Sequence, residues 1–127
     1  AKSIAIGNPA DGIYVVQAVK QSGGWGEDAT DDEIVDAIKL LARTEGIWTE
    51  PAGGTTLACA IKLINSGCIP RDESICGSIT GNGLKTTEVV VNHLEAPPSI
   101  PPKLEAFDAV VAHRTRTGEV SPVPVTA

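Results

Sequence analysis

Residues 55–66 read Thr-Thr-Leu-Ala-Cys-Ala-Ile-Lys-Leu-Ile-Asn-Ser and are closed by Gly67. The stretch is helical in composition and apolar on most of its faces, so the helix it forms must be buried inside a larger body. The rest of the fold therefore has to cover it. Its approach, Glu50-Pro51-Ala52-Gly53-Gly54, follows a very short strand expected at residues 47–49. The two glycines leave two readings open. They free helix N–H groups to seat an anion, or they give a buried helix room to pack tightly. Glu50 beside them is a lone carboxylate without a visible partner and is given no chemical step.

Other elements alternate with this one. Residues 2–6 run toward an apolar strand end, Trp25 lies in a short edge strand, and residues 73–77 are a short, largely apolar run bounded by turn-formers, as a buried strand should be. Asn8 can cap a helix whose first position is Pro9, and the apolar spacing of Ile13, Val16, Ala18 and Val19 continues it to Ser22-Gly23-Gly24. That glycine pair closes a helix instead of opening one, so it reads as a C-cap and not as a phosphate loop. Thr30-Asp31-Asp32-Glu33 matches a capping box, and a clear stripe through Ile34, Val35, Ile38, Leu41 and Ala42 runs up to Gly46. The acids Glu27, Asp28, Asp31, Asp32 and Glu33 read first as chemistry for a helix start. Divalent-cation binding is the alternative, without the calcium-loop spacing.

Strands alternating with helices predict an α/β fold, a three-layer segment with a short parallel sheet and flanking helices, over residues 1–94. Residues 86–94 are apolar but mixed in period. Residues 95–127 form a second part. Four prolines lie between Glu95 and Pro102, which predicts an extended, polyproline-like linker. A short helix over residues 103–112 and a frayed, polar end from His113 follow.

Composition removes several function classes. Ten bases against sixteen acids leave a net charge of −6, and only 3% of the residues are aromatic. Such a chain repels phosphate backbones and offers no stacking platform, so nucleic acid is not expected as a partner. No apolar run approaches the length of a membrane span, and the start is too short and too soon broken for a signal peptide, so a cytoplasmic location is expected. Cys59, Cys68 and Cys76 lack a metal-binding spacing and read as reduced thiols. His93 and His113 belong to no ligand cluster, and no metal site is expected.

The stretch that bears most on function is Ser78-Ile79-Thr80-Gly81-Asn82-Gly83-Leu84-Lys85. Thr80 falls at the carboxyl end of the expected strand, where open α/β sheets bind ligands. The glycines around Asn82 let the backbone take positive φ and come close to a flat or charged ligand. The plain alternative is a strand followed by a Gly-Asn-Gly turn with no ligand.

Three motifs in order, IGNPADG from Ile6, LARTEGIWTEPAGG from Leu41 and ITGNGLK from Ile79, together resemble the carboxyl-terminal part of the threonine synthases. These are fold-type II pyridoxal-phosphate enzymes, and the resemblance runs over about residues 1–103. It implies a parent reaction in which O-phosphohomoserine and water give threonine and phosphate, a lyase-type step of amino-acid biosynthesis. It also implies that Thr80 is the hydroxyl facing the pyridine nitrogen of pyridoxal phosphate, and that Gly81, Asn82 and Gly83 form the wall beside the ring. A neutral hydroxyl cannot hold a pyridinium proton as a carboxylate would, which tempers the ring as an electron sink. The loop over residues 50–54 resembles the one that lines the family's site.

No lysine among Lys2, Lys20, Lys39, Lys62, Lys85 and Lys103 sits in the family's Schiff-base motif, and no glycine-rich phosphate cradle is present. The residues are therefore expected to be a segment of a larger enzyme or a stand-alone descendant of one, with no catalytic residue of their own and no catalysis alone. A vestigial binder of pyridoxal phosphate or another small anion is a third reading. Three helices and a small sheet would leave part of the apolar helix in water. A homodimer is expected first and a hetero-complex second, with an amino-terminal threonine synthase half as the partner implied by the resemblance.

Overall fold

The computed structural model describes residues 1–95 and 97–117, the side chain of Thr115 excepted. Two compact units are present, Ala1–Leu94 and Glu95–Ala127.

The first unit is built on three helices: α1, Gly12–Ser22; α2, Asp31–Glu45; and α3, Pro51–Asn65. Helix α2 begins where its sequence says it should. Thr30 Oγ1 accepts from the Glu33 N–H at 3.3 Å, and the Thr30 N–H donates back to Glu33 Oε2 at 2.7 Å. Gly46 ends the helix in the left-handed conformation, φ 68°, which costs glycine nothing. Helix α1 starts at Gly12 with Asp11 before it, not at Pro9 after an Asn8 cap. It ends at Gly23, φ 68°, as the glycine pair implies. Helix α3 starts four residues earlier than its apolar run, because Pro51 supplies a ready φ at the first helical position.

The core forms where α2 meets α3. Ile34, Val35 and Ile38 of α2 are buried with Val90, and Trp48 and Val89 pack partly against them. Gly54 lies hard against α2. A Cβ there would lie 2.7 Å from Ile38 Cγ1 and 2.9 Å from the Ile34 carbonyl. Tight packing is therefore what Gly53 and Gly54 provide, and both lie within the first turns of α3 instead of opening it.

The parallel sheet is not present among the described residues. Residues 2–4 form a 3-10 turn, and the stretches around Trp25 and residues 74–79 have no regular secondary structure. The single bridge, Thr49 with Asn82, is antiparallel. A strand is fixed by a neighbour that takes its N–H and C=O groups; only the stretch around Trp48 meets one, and only for that single bridge. Residues 73–77, expected to be buried, are exposed, with Ile75 at 49%. Residues 83–93 turn through three short 3-10 segments that bring Val90 onto α2.

In the second unit, helix α4, Leu104–Thr117, runs past the expected end at Ala112. Frayed structure was expected from His113, yet residues 113–117 are helical; Ala96 of the proline-rich stretch and residues 118–127 lie outside the described residues. None of the described helices is long and apolar enough to cross a membrane.

Candidate functional site

The link between α2 and α3 is only residues 46–50; it is exposed at Gly46 and Ile47 and buried at Thr49, and a distant loop pairs with it there. The Gly83 N–H donates to the Trp48 carbonyl at 3.0 Å, and the Glu50 N–H donates to the Gly81 carbonyl at 3.2 Å. Thr49, 1% exposed, adds its hydroxyl, 3.2 Å from the Gly81 carbonyl and 3.3 Å from that of Glu50. Asn82 Oδ1 accepts from the Leu84 N–H at 2.8 Å and closes the turn locally. Residues 48–50 and 81–83 thus form one clamp.

The glycines of this loop are needed for space, not for a left-handed backbone. Positive φ among the described residues occurs only at Gly23, Gly46 and Gly67. A Cβ on Gly81 would overlap the Glu50 carboxylate. A Cβ on Gly83 would come within 2.5 Å of the Trp48 ring and 2.6 Å of the Thr49 carbonyl. Close approach to a ligand was the expectation; in the structure the groups close to these glycines are the chain's own Trp48 and Glu50.

Of the four residues singled out, Gly83 is buried, Gly81 is half-buried, and Thr80 and Asn82 are exposed. Thr80 sits at the outer edge of the clamp with its side chain toward solvent. Trp48 Nε1 is buried beneath the loop without a hydrogen-bond partner. The part played by Trp48 and Thr49 is not visible in the sequence motif, because it depends on a pairing across 32 residues. A separate cleft of about 370 Å³ near the start of α2 is lined by Asp31, Val35, Pro51, Glu88, Val89 and His93, among others. Thr80 is not in its wall.

The acidic cluster around the start of α2 and Cys59 are tied into structure. The acids Glu27, Asp28 and Glu33 surround the Lys62 ammonium at 3.8, 3.3 and 3.6 Å, and Lys62 also donates to the Asp28 carbonyl at 2.9 Å. A lysine fills the place where a divalent cation was the alternative, and no group of metal ligands occurs among the described residues. Burial alone would lower the Lys62 pKa, but the hydrogen bond to Asp28 and the carboxylates of Glu33 and Glu27 outweigh it, and the net shift is upward. Lys62 stays charged and is not an amine nucleophile. Burial, helped by Glu27, pushes the Cys59 thiol up, so it is not a thiolate.

Comparison with known proteins agrees with the motifs. A family model described as pyridoxal-phosphate dependent enzyme matches residues 1–81. The chain is 45% identical over 97 residues to a threonine synthase of Methanocaldococcus jannaschii, covering 76% of this chain and 24% of that protein. It is 42% identical over 92 residues to a threonine synthase of Bacillus sp. (strain ULM1), 72% of this chain and 26% of that protein. A third, from Methanosarcina acetivorans, is 40% identical over 107 residues, 84% and 26% respectively. The chain thus spans about a quarter of the length of the curated relatives it matches. With residues 1–81, more than half of its length, inside the family model, the chain belongs to the pyridoxal-phosphate dependent enzymes.

Proposed function

We propose that these residues supply one wall of a threonine-synthase-like pyridoxal-phosphate site, in the lyase-type conversion of O-phosphohomoserine and water to threonine and phosphate. The observation that carries this reading is the clamp: residues 81–83 are held flat against residues 48–50, and Thr80 is left exposed at its edge. A flat backbone face next to a free-standing hydroxyl fits one edge and one side of a pyridine ring. Thr80 would meet the ring nitrogen as a neutral partner, and Gly81, Asn82 and Gly83 would flank the ring. When bound, pyridoxal phosphate supplies the electron sink for the reaction. The chain's own share is to orient the ring and keep a fixed anion away from its nitrogen.

The fit covers a wall and not a whole site. Lys62 is committed to three carboxylates and Lys39 pairs with Asp36 at 3.6 Å. Because none of the six lysines sits in the family's Schiff-base motif, this reading takes the Schiff-base lysine and the phosphate cradle from residues outside these 127, on the same polypeptide or on a partner. An amino-terminal threonine synthase half is the partner this reading calls for, and a cytoplasmic location goes with the biosynthetic reaction. In this reading the 127 residues catalyse nothing unaided. Titration of the chain with pyridoxal phosphate, followed by amide NMR, tests the wall. Shifts should concentrate at residues 80–83 and vanish in Thr80→Val; shifts scattered over the surface, or equal in the variant, would remove the loop from the site.

A second reading, a protein-binding or oligomerisation module, is favoured by one observation. Helix α1 buries no residue, and Ile13, Tyr14, Val15 and Val16 are 72, 69, 59 and 53% exposed. A homodimer or a hetero-complex would cover that apolar surface, since contiguous patches of this kind are uncommon on soluble monomers.

A further inference from the structure

Thr49 carries a buried hydroxyl that neither the motifs nor the proposed contacts of the ring explain. It is 1% exposed and lies under the clamp, between the first turn of α3 and the loop. Its Oγ1 is so close to Gly53 that a Cβ there would overlap it. One side of the hydroxyl is therefore closed off by helix backbone. On the other side are two carbonyl oxygens, of Gly81 at 3.2 Å and of Glu50 at 3.3 Å. The Gly81 carbonyl also receives the Glu50 N–H at 3.2 Å. The hydroxyl has one proton for these two carbonyls; given to Gly81, the nearer, it joins the Glu50 N–H on one oxygen and fixes the plane of the peptide that follows Gly81. A glycine has the widest choice of backbone angles of any residue, so without that restraint the Thr80–Gly81 corner is free to turn.

We propose that Thr49 is a positioning residue, one that sets where the Thr80 hydroxyl stands by holding the Gly81 carbonyl through its own buried hydroxyl. The proposal rests on the reading of the Thr80 loop as a wall for the ring, but its mechanical part does not. Loss of the Thr49 hydroxyl leaves the Glu50 N–H still bonded to Gly81, so the clamp loosens while the helices keep their packing. A buried threonine with a purely packing role would act through its methyl group instead.

Thr49→Ala and Thr49→Ser separate the two. Both lose the methyl, and they differ from each other only by the hydroxyl. Amide exchange in the full chain is measured at Glu50 and Gly83, with Ile38 of α2 as the reporter of global opening. In Thr49→Ala, exchange at Glu50 and Gly83 should rise roughly tenfold relative to Ile38, the size expected for one net hydrogen bond. Thr49→Ser should restore the wild-type ratio. Equal ratios in the two variants, or acceleration that is uniform and includes Ile38, would overturn the proposal. Pyridoxal phosphate as the added probe then tests the link to Thr80: its apparent affinity should fall several-fold in Thr49→Ala and recover in Thr49→Ser. Affinity equal in both variants would break the link between Thr49 and the ring. If wild type does not bind the probe while the exchange ratios behave as stated, the reading of the loop as a ring wall fails and the positioning of Gly81 stands.

Discussion

Thr80 and the glycines beside it differ sharply in what a substitution should do, because Thr80 is exposed while Gly81 and Gly83 have no room for a side chain. Thr80→Val should leave stability within about 0.5 kcal/mol, as surface changes do, while removing the one hydroxyl proposed to meet the ring. A chemical melt and a ligand titration together check this, and a large loss of stability would place Thr80 in the packing instead. Gly83→Ala is the opposite case. The new methyl would come within 2.5 Å of the Trp48 ring, and overpacking of this kind costs about 1–3 kcal/mol. A variant as stable as wild type would show that the loop does not sit on Trp48. The sequence named Thr80, Gly81, Asn82 and Gly83, but it could not show that the glycines serve Trp48 and Glu50. Glycine reads the same whether it is kept for its φ or for its missing side chain.

Among the elements, α2 was the most legible, because its capping box, stripe and terminal Gly46 are all local signals. Thr30→Ala should cost about 1 kcal/mol, the usual loss for a helix N-cap. The same cap predicts a pH dependence. Bonds from the Thr30 backbone and hydroxyl hold the Glu33 pKa below its ordinary 4.5, so the unfolded chain takes up the proton more readily than the folded one. The contribution of the cap is complete above the ordinary value and is lost as pH falls through the lowered one. Because the Thr30 N–H that holds the carboxylate is kept in any variant at that position, the variant to compare is Glu33→Gln: chemical melts between about pH 6 and about pH 3 should show the gap between wild type and Glu33→Gln closing toward acid. A gap that stays constant would mean that Glu33 is not held in the cap. The starts of α1 and α3 were less legible, since Pro9 and Pro51 both suit a first helical turn and only packing decides between the choices. The sheet was the least legible. Residues 73–77 have strand composition, yet a strand exists only with a neighbour to pair with, and Thr49 with Asn82 is the one bridge among the described residues.

For the whole molecule, the apolar residues of α1 and the half-buried Leu57, Ile61 and Ile64 of α3 are what the second reading turns on. Sedimentation at micromolar concentration should give a mass above that of one chain. A clean single-chain mass without binding of an apolar dye would set that reading aside. The central claim is different: that this chain brings the wall of a pyridoxal-phosphate site and that its lysine lies elsewhere. The most direct test is the visible absorbance of the purified chain with equimolar pyridoxal phosphate, alone and after co-expression with the rest of the Methanocaldococcus jannaschii threonine synthase. The prediction is no band above roughly 400 nm, where lysine-linked cofactor absorbs, for the chain alone, and such a band in the complemented protein. A stoichiometric band from the chain by itself would contradict the account, because it would place a competent lysine among these 127 residues.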